Sequence, residues 1–242
     1  VQSDPDARCL DGSPASYLYK KGFESGVDKW MIFFQGGGWC YDLRMCFRRS
    51  QSRLGSSAIE VDDACENALR LGGYLPGASN GIDRVSYNFN LAFVNYCDGG
   101  SFSGDAQDDY NGTTLYFKGA KIRRAVVTDL MTRFGMHKAT DIVISGSSAG
   151  GKANHLACTD TGQPPRFGAK AVGNPPKFFF EQYDEKDNVV SYPKSMRSLF
   201  HFMNISIGAS PACLRQHPAA PSDCMFAQHL LPTMKSPLFV IQ

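Results

Sequence analysis

Several common functions are excluded by what this 242-residue sequence lacks. No apolar run approaches the ~18–20 residues that cross a bilayer, so no membrane span is expected. Basic and acidic residues nearly balance, 25 against 23, and no basic stripe stands out. Nucleic acid is therefore not an expected partner. None of the eight cysteines forms C-x-x-C, and no Cys/His group has zinc-finger spacing. We expect neither a metal nor a cofactor. Internal repeats, low-complexity tracts and linkers are missing too, so residues 1–242 read as one domain, large enough for a substantial core.

Cysteine itself is not scarce. An even number, at 9, 40, 46, 65, 97, 158, 213 and 224, reads as disulfides and hence as an oxidising compartment, secreted or in a cell wall. Cys40 with Cys46 and Cys213 with Cys224 would each close a short loop. The alternative is a set of buried free thiols. The sequons at Asn111 and Asn204 agree with export and are glycosylation candidates. Residues Val1 to Asp6 have neither a charged nor an apolar leader region, so any signal peptide would lie outside this sequence.

Buried-strand patterns occur at 16–21, 29–35, 91–96, 141–145, 168–173 and 236–242, with a breaker-rich turn at 22–26 between the first two. Ile122, Val126, Leu130 and Phe134 recur every four residues and predict a helix over 119–134, with Gly135 as its stop. A second helix is expected from about 149 to 157. Residues 176–230 read as irregular, with several short helices. Strands alternating with helices give an α/β class with a mostly parallel sheet.

Two stretches carry chemistry. Ile142-Val143-Ile144-Ser145 runs into Gly146-Ser147-Ser148-Ala149-Gly150, a G-x-S-x-G after a strand and before a helix. That context puts Ser148 at the apex of a nucleophile elbow, whose flanking glycines make room for the turn. Gln35-Gly36-Gly37-Gly38-Trp39-Cys40 follows the strand at 29–35. Consecutive glycines let backbone N–H groups point into a site, as an oxyanion hole requires. The residue after the nucleophile, Ala149, would supply another N–H. The plain alternatives are a Ser/Gly-rich surface turn and a flexible hairpin.

These motifs do not stand alone. With Cys9-Leu10-Asp11-Gly12-Ser13-Pro14, Arg53-Leu54-Gly55-Ser56-Ser57, Tyr96-Cys97-Asp98-Gly99, Ser101-Phe102-Ser103-Gly104-Asp105 and Leu115-Tyr116-Phe117-Lys118-Gly119-Ala120, the chain resembles the pectin acetylesterase/Notum family of carboxylesterases. The resemblance implies an α/β-hydrolase-like fold, a mostly parallel sheet with flanking helices whose C-terminal strands lie outside this sequence. It implies Ser148 as nucleophile and the N–H groups of Gly38, Trp39 and Ala149 as oxyanion hole. It also implies bridges Cys9–Cys97 and Cys40–Cys46, which leaves Cys65 with Cys158. Asp98 is implied near the pocket mouth, or else in a turn held by the Cys97 bridge. The implied substrate is an O-acyl ester, foremost O-acetyl on a polysaccharide such as pectin. A Notum-like removal of a lipid acyl group from a protein is the alternative.

One expected part is missing. A serine needs a base, normally a histidine oriented by an acid, and in this fold class both follow the serine in the chain. No convincing pair follows Ser148. His155 should point away from it; His201, His217 and His229 follow no strand; Asp160, Asp184, Glu185, Asp187 and Asp223 read as solvated loop acids. We therefore expect the acid and base beyond Gln242, in a longer polypeptide or in a second chain made by processing. The rival is a catalytically inactive binding protein on the esterase scaffold. Phe178-Phe179-Phe180 with Tyr183 reads as core packing rather than an acyl or sugar pocket. The oligomeric state stays open.

Overall fold

A computed structural model describes residues 1–59, 86–153, 171–174, 192–234 and 238–240. Six strands form one sheet in the order β1-β3-β2-β6-β7-β8: β1 (Tyr17–Lys20), β2 (Lys29–Phe34), β3 (Asn90–Val94), β6 (Asp141–Ser147), β7 (Ala171–Asn174) and β8 (Leu238–Val240). All neighbours are parallel except β1 and β3. β4 (Ala106–Tyr110) and β5 (Thr113–Phe117) make a separate antiparallel hairpin. The helices are α1 (Leu43–Ser50), α2 (Gly119–Arg133), α3 (149–153), α4 (Tyr192–Phe202), α5 (Pro211–Gln216) and α6 (Ala227–Leu230).

The apolar runs decide the centre of this sheet. β3 is buried along its whole length, and Trp30, Ile32 and Phe34 of β2 pack into the same core as α2. That is the signature of strands covered on both faces. On α2, Ile122, Val126 and Leu130 are fully buried as the four-residue period predicts, and Gly135 ends the helical run at φ 82. Two of its charged residues are buried as well. Arg123 donates to the Phe102 and Gly208 carbonyls, and Asp129 accepts the amides of Gln2 and Ser3. These bonds tie the N-terminal segment and two loops onto the helix.

The first two strands do not pair with each other. β3 inserts between them, and Asn90 at its start binds the intervening turn by accepting from Gly22 and donating to Val27 and Lys29. A purely local pattern marks the turn but not the strand that fills the gap.

β2 pairs in register with β6, Phe33 opposite Ser145 and Phe34 opposite Gly146. Parallel strands about 4.8 Å apart leave the sheet on the same side. The triple-glycine stretch and the serine turn therefore emerge side by side, although more than a hundred positions separate them. In such sheets the crevice beyond the carboxyl ends of the strands is where ligands bind.

Candidate active site

Ser148 sits between β6 and α3 with φ 51, half-buried. A non-glycine residue in the left-handed region is strained and needs surroundings that hold it there. The flanking glycines provide them. A Cβ on Gly146 would lie 2.8 Å from the Phe34 carbonyl oxygen, and one on Gly150 only 2.1 Å from that same atom. The elbow is thus pressed against the end of β2 with no space for side chains.

The triple-glycine loop closes on the serine. A Cβ on Gly36 would come within 3.0 Å of the Ser148 Cβ and 2.3 Å of the Ser147 carbonyl. Gly38 has φ 68 and open space where a side chain would be. Among the described residues no backbone acceptor meets the amides of Gly38, Trp39 or Ala149. Buried or half-buried N–H groups are normally paired, and amides left open on the loop and turn that meet here are of the kind that can take an incoming anionic oxygen. Trp39 stands beside this loop with its indole N–H on Ser101 Oγ at 2.7 Å and its ring 5.9 Å from that of Tyr192.

The loop following β3 supports the glycines from below. Ser101 and Phe102 both have positive φ, and the Asp98 carboxylate holds that shape by accepting the amides of Gly100 and Phe102. Asp98 is 1 % exposed, and its other oxygen has no partner. Burial raises its pKa to about 6 against the opposing pull of those amides. The structure therefore favours the supporting turn over a direct role for Asp98. Two disulfides clamp the loop pair, Cys9–Cys97 and Cys40–Cys46, and Cys213–Cys224 closes a third loop. The fourth pairing, Cys65 with Cys158, lies outside the described residues, as do His155, Asp160, Asp184, Glu185, Asp187 and the Phe178–Tyr183 run.

The remaining sequence candidates, and His137, which the sequence does not single out, are engaged elsewhere. His217 and His229 pack ring to ring at 4.8 Å, His201 is exposed against Phe200, and His137 lies 2.7 Å from the Met131 carbonyl. Asp223 is paired with Arg197 at 2.8 Å. None of these four imidazoles is hydrogen-bonded to Ser148. Asn111 is exposed at the tip of the β4–β5 hairpin, open to a glycan. Asn204 is half-buried, and its amide nitrogen donates to the Asp105 carbonyl.

Two residues here, Arg49 and Lys152, carry no sequence signal, and Tyr96 enters the sequence reading only as part of the Tyr96-Cys97-Asp98-Gly99 motif. Lys152 on α3 is 3 % exposed, and its Nζ donates to Met225 Sδ at 3.0 Å. A thioether is a weak acceptor for an ammonium, and burial lowers the lysine pKa to about 7. Between pH 7 and the ordinary lysine range the unfolded chain holds a proton that the native amine does not. The stability of the protein therefore rises with pH across that window. Lys152→Met should stabilise the fold by about 1–3 kcal/mol at or below pH 7, with the gain shrinking towards pH 10. Urea melts at pH 6.5 and 9.5 measure this, and an equal gain at both would refute it.

The chain has relatives among known proteins. The Pectinacetylesterase family model matches residues 1–242. Pectin acetylesterase 7 of Arabidopsis thaliana is 36% identical over 97% of this chain and 58% of its own length. The palmitoleoyl-protein carboxylesterase NOTUM of Homo sapiens is 26% identical over 97% of this chain and 48% of its own. The chain thus spans about half the length of the curated relatives it matches. Among solved structures, the Wnt deacylase Notum from Drosophila superposes with a TM-score of 0.80 at 24% identity, over 99% of this chain and 69% of that one, which shows a shared α/β-hydrolase-like fold. With its motifs in order, its sheet topology matched and the family model covering it from end to end, the chain belongs to the pectin acetylesterase family.

Proposed function

We propose that the polypeptide carrying this chain is a secreted serine carboxylesterase that removes acetyl groups from an O-acetylated polysaccharide, pectin foremost. The single observation behind this reading is the strained, half-buried Ser148 on a turn against which the triple-glycine loop closes at Gly36. Ser148 Oγ attacks the acetyl carbonyl while a histidine outside the described residues takes its proton. The carbonyl oxygen, now negative, is held by the N–H groups of Gly38, Trp39 and Ala149. Collapse expels the sugar hydroxyl, which receives the proton, and water then releases acetate from the acetyl-serine. Three disulfides among the described residues support an oxidising compartment. The acetyl reading is preferred to lipid deacylation because the pectin acetylesterases are the more similar relatives, 36% against 26%.

The intact natural polypeptide should release acetate from acetylated pectin and be stopped by a fluorophosphonate. Peptide mapping should find the phosphonyl group on Ser148. A label on any other residue, with activity lost, would overturn the assignment.

A further inference from the structure

The amides assigned to the oxyanion are aimed from behind. Arg49 Nη1 donates to the Gly37 carbonyl at 2.9 Å, and the Tyr96 hydroxyl donates to the Gly38 carbonyl at 2.8 Å. In a trans peptide the C=O and the following N–H point in opposite directions, and no cis peptide occurs among the described residues. Fixing the Gly37 oxygen therefore fixes the direction of the Gly38 N–H. Fixing the Gly38 oxygen does the same for the Trp39 N–H. Glycine has no side chain to limit rotation, so nothing local to residues 36–38 would hold these peptide planes.

The two donors are held in turn. Tyr96 is fully buried, and its oxygen accepts the Ser101 amide at 3.0 Å while its proton goes to Gly38. Arg49 is anchored through Nε on the Leu54 carbonyl at 2.9 Å, and its guanidinium lies over the Tyr96 ring, 5.0 Å from the centroid. The stacked pair presents two donors to two successive carbonyls, and the fork of an arginine keeps that geometry better than a lysine could. The Trp39 indole, bonded to Ser101, closes the circuit on the substrate side.

We propose that Arg49 and Tyr96 form a clamp that aims the Gly38 and Trp39 amides at the developing oxyanion, making both of them positioning residues for ester hydrolysis. The inference rests on Ser148 being the nucleophile. The clamp acts through peptide planes and not on the substrate, so its loss weakens binding of the tetrahedral species more than binding of the ester.

The test compares the intact natural polypeptide with its Tyr96→Phe, Arg49→Met and Ser148→Ala forms on p-nitrophenyl acetate, with phenylboronic acid as the tetrahedral mimic. Folded fraction is taken from near-ultraviolet circular dichroism and used to normalise the rates. Tyr96→Phe should lower kcat by roughly 10–100-fold and leave KM within about twofold. The boronate inhibition constant should rise by a similar factor. Arg49→Met keeps an unbranched side chain of similar reach and should show the same split, so the result does not hang on one variant folding. Unchanged kcat and boronate affinity in both folded variants would overturn the clamp while leaving the esterase intact. A rise in KM matching the fall in kcat/KM would also overturn it. Full activity in Ser148→Ala would instead overturn the nucleophile, and the clamp with it.

Discussion

Ser148→Ala should lower ester turnover of the intact natural polypeptide by at least about a thousandfold, and Ser148→Gly should be equally inactive yet more stable than the alanine form. The first half follows from chemistry, since neither residue can form the acyl-enzyme. The second follows from backbone strain. Ser148 holds φ 51, where an L residue with a Cβ is disfavoured by about 1–2 kcal/mol. Alanine keeps that strain and glycine releases it. The freer unfolded chain of a glycine variant returns roughly 0.5–1 kcal/mol of the gain. Glycine should therefore exceed alanine by about 0.5–1 kcal/mol in chemical denaturation. An alanine form that is the more stable of the two would mean that the elbow is not strained.

Gly150→Ala should be among the most damaging single-methyl changes within the described residues. Its Cβ would sit 2.1 Å from the Phe34 carbonyl oxygen and 2.5 Å from that of Gln35. Both atoms are backbone at the end of β2, one of them in the ladder that joins β2 to β6. No side chain can swing aside, so α3 and β2 must separate. Overpacking against rigid surroundings costs about 1–3 kcal/mol and here should reach about 3 kcal/mol or more. Whatever still folds should lose activity, because Gln35 leads directly into the triple-glycine loop to which the oxyanion is assigned in the proposed reaction. Gly112→Ala is the control: its φ is 74 but nothing lies within 4 Å, so it should cost only about 1–2 kcal/mol. Equal melting temperatures for the two variants would count against the steric account.

Much of this was legible from local pattern. The apolar runs over β2, β3 and β6 and the four-residue period of α2 are signals of burial, and burial decides those elements. The hairpin of β4 and β5 was not found that way. Ala106–Tyr110 is mostly exposed, so no hydrophobic alternation marks it. Its one signal is Asn111-Gly112, read above only as part of a sequon. The two residues take φ 50 and 74, the pair of positive values that a tight hairpin turn demands. α1 is short and contains Cys46 of the Cys40–Cys46 bridge; its N-cap, the Asp42 side chain accepting the Met45 amide, is a signal not read above.

The site divides in the same way. Ser148 and the glycines are visible because a tight strand-to-helix turn and the chemistry proposed for it demand residue types that few other contexts demand. The roles of Arg49, Tyr96 and Lys152 are not, since their meaning lies in partners brought in by the sheet. Tyr96 reaches Gly38 only because β3 lies beside β2, and no spacing rule in a single sequence reports that neighbourhood.

The position of β2 also governs how the molecule is made. Its apolar residues Trp30 to Phe34 leave the ribosome roughly a hundred residues ahead of β6, the strand that covers one of its edges. Throughout that interval a greasy, unpaired ribbon is on offer to any passing strand. The corner where acyl chemistry is assigned therefore comes into being only once β6 has been made, and the ribbon left waiting meanwhile is the one that leads into the triple-glycine loop.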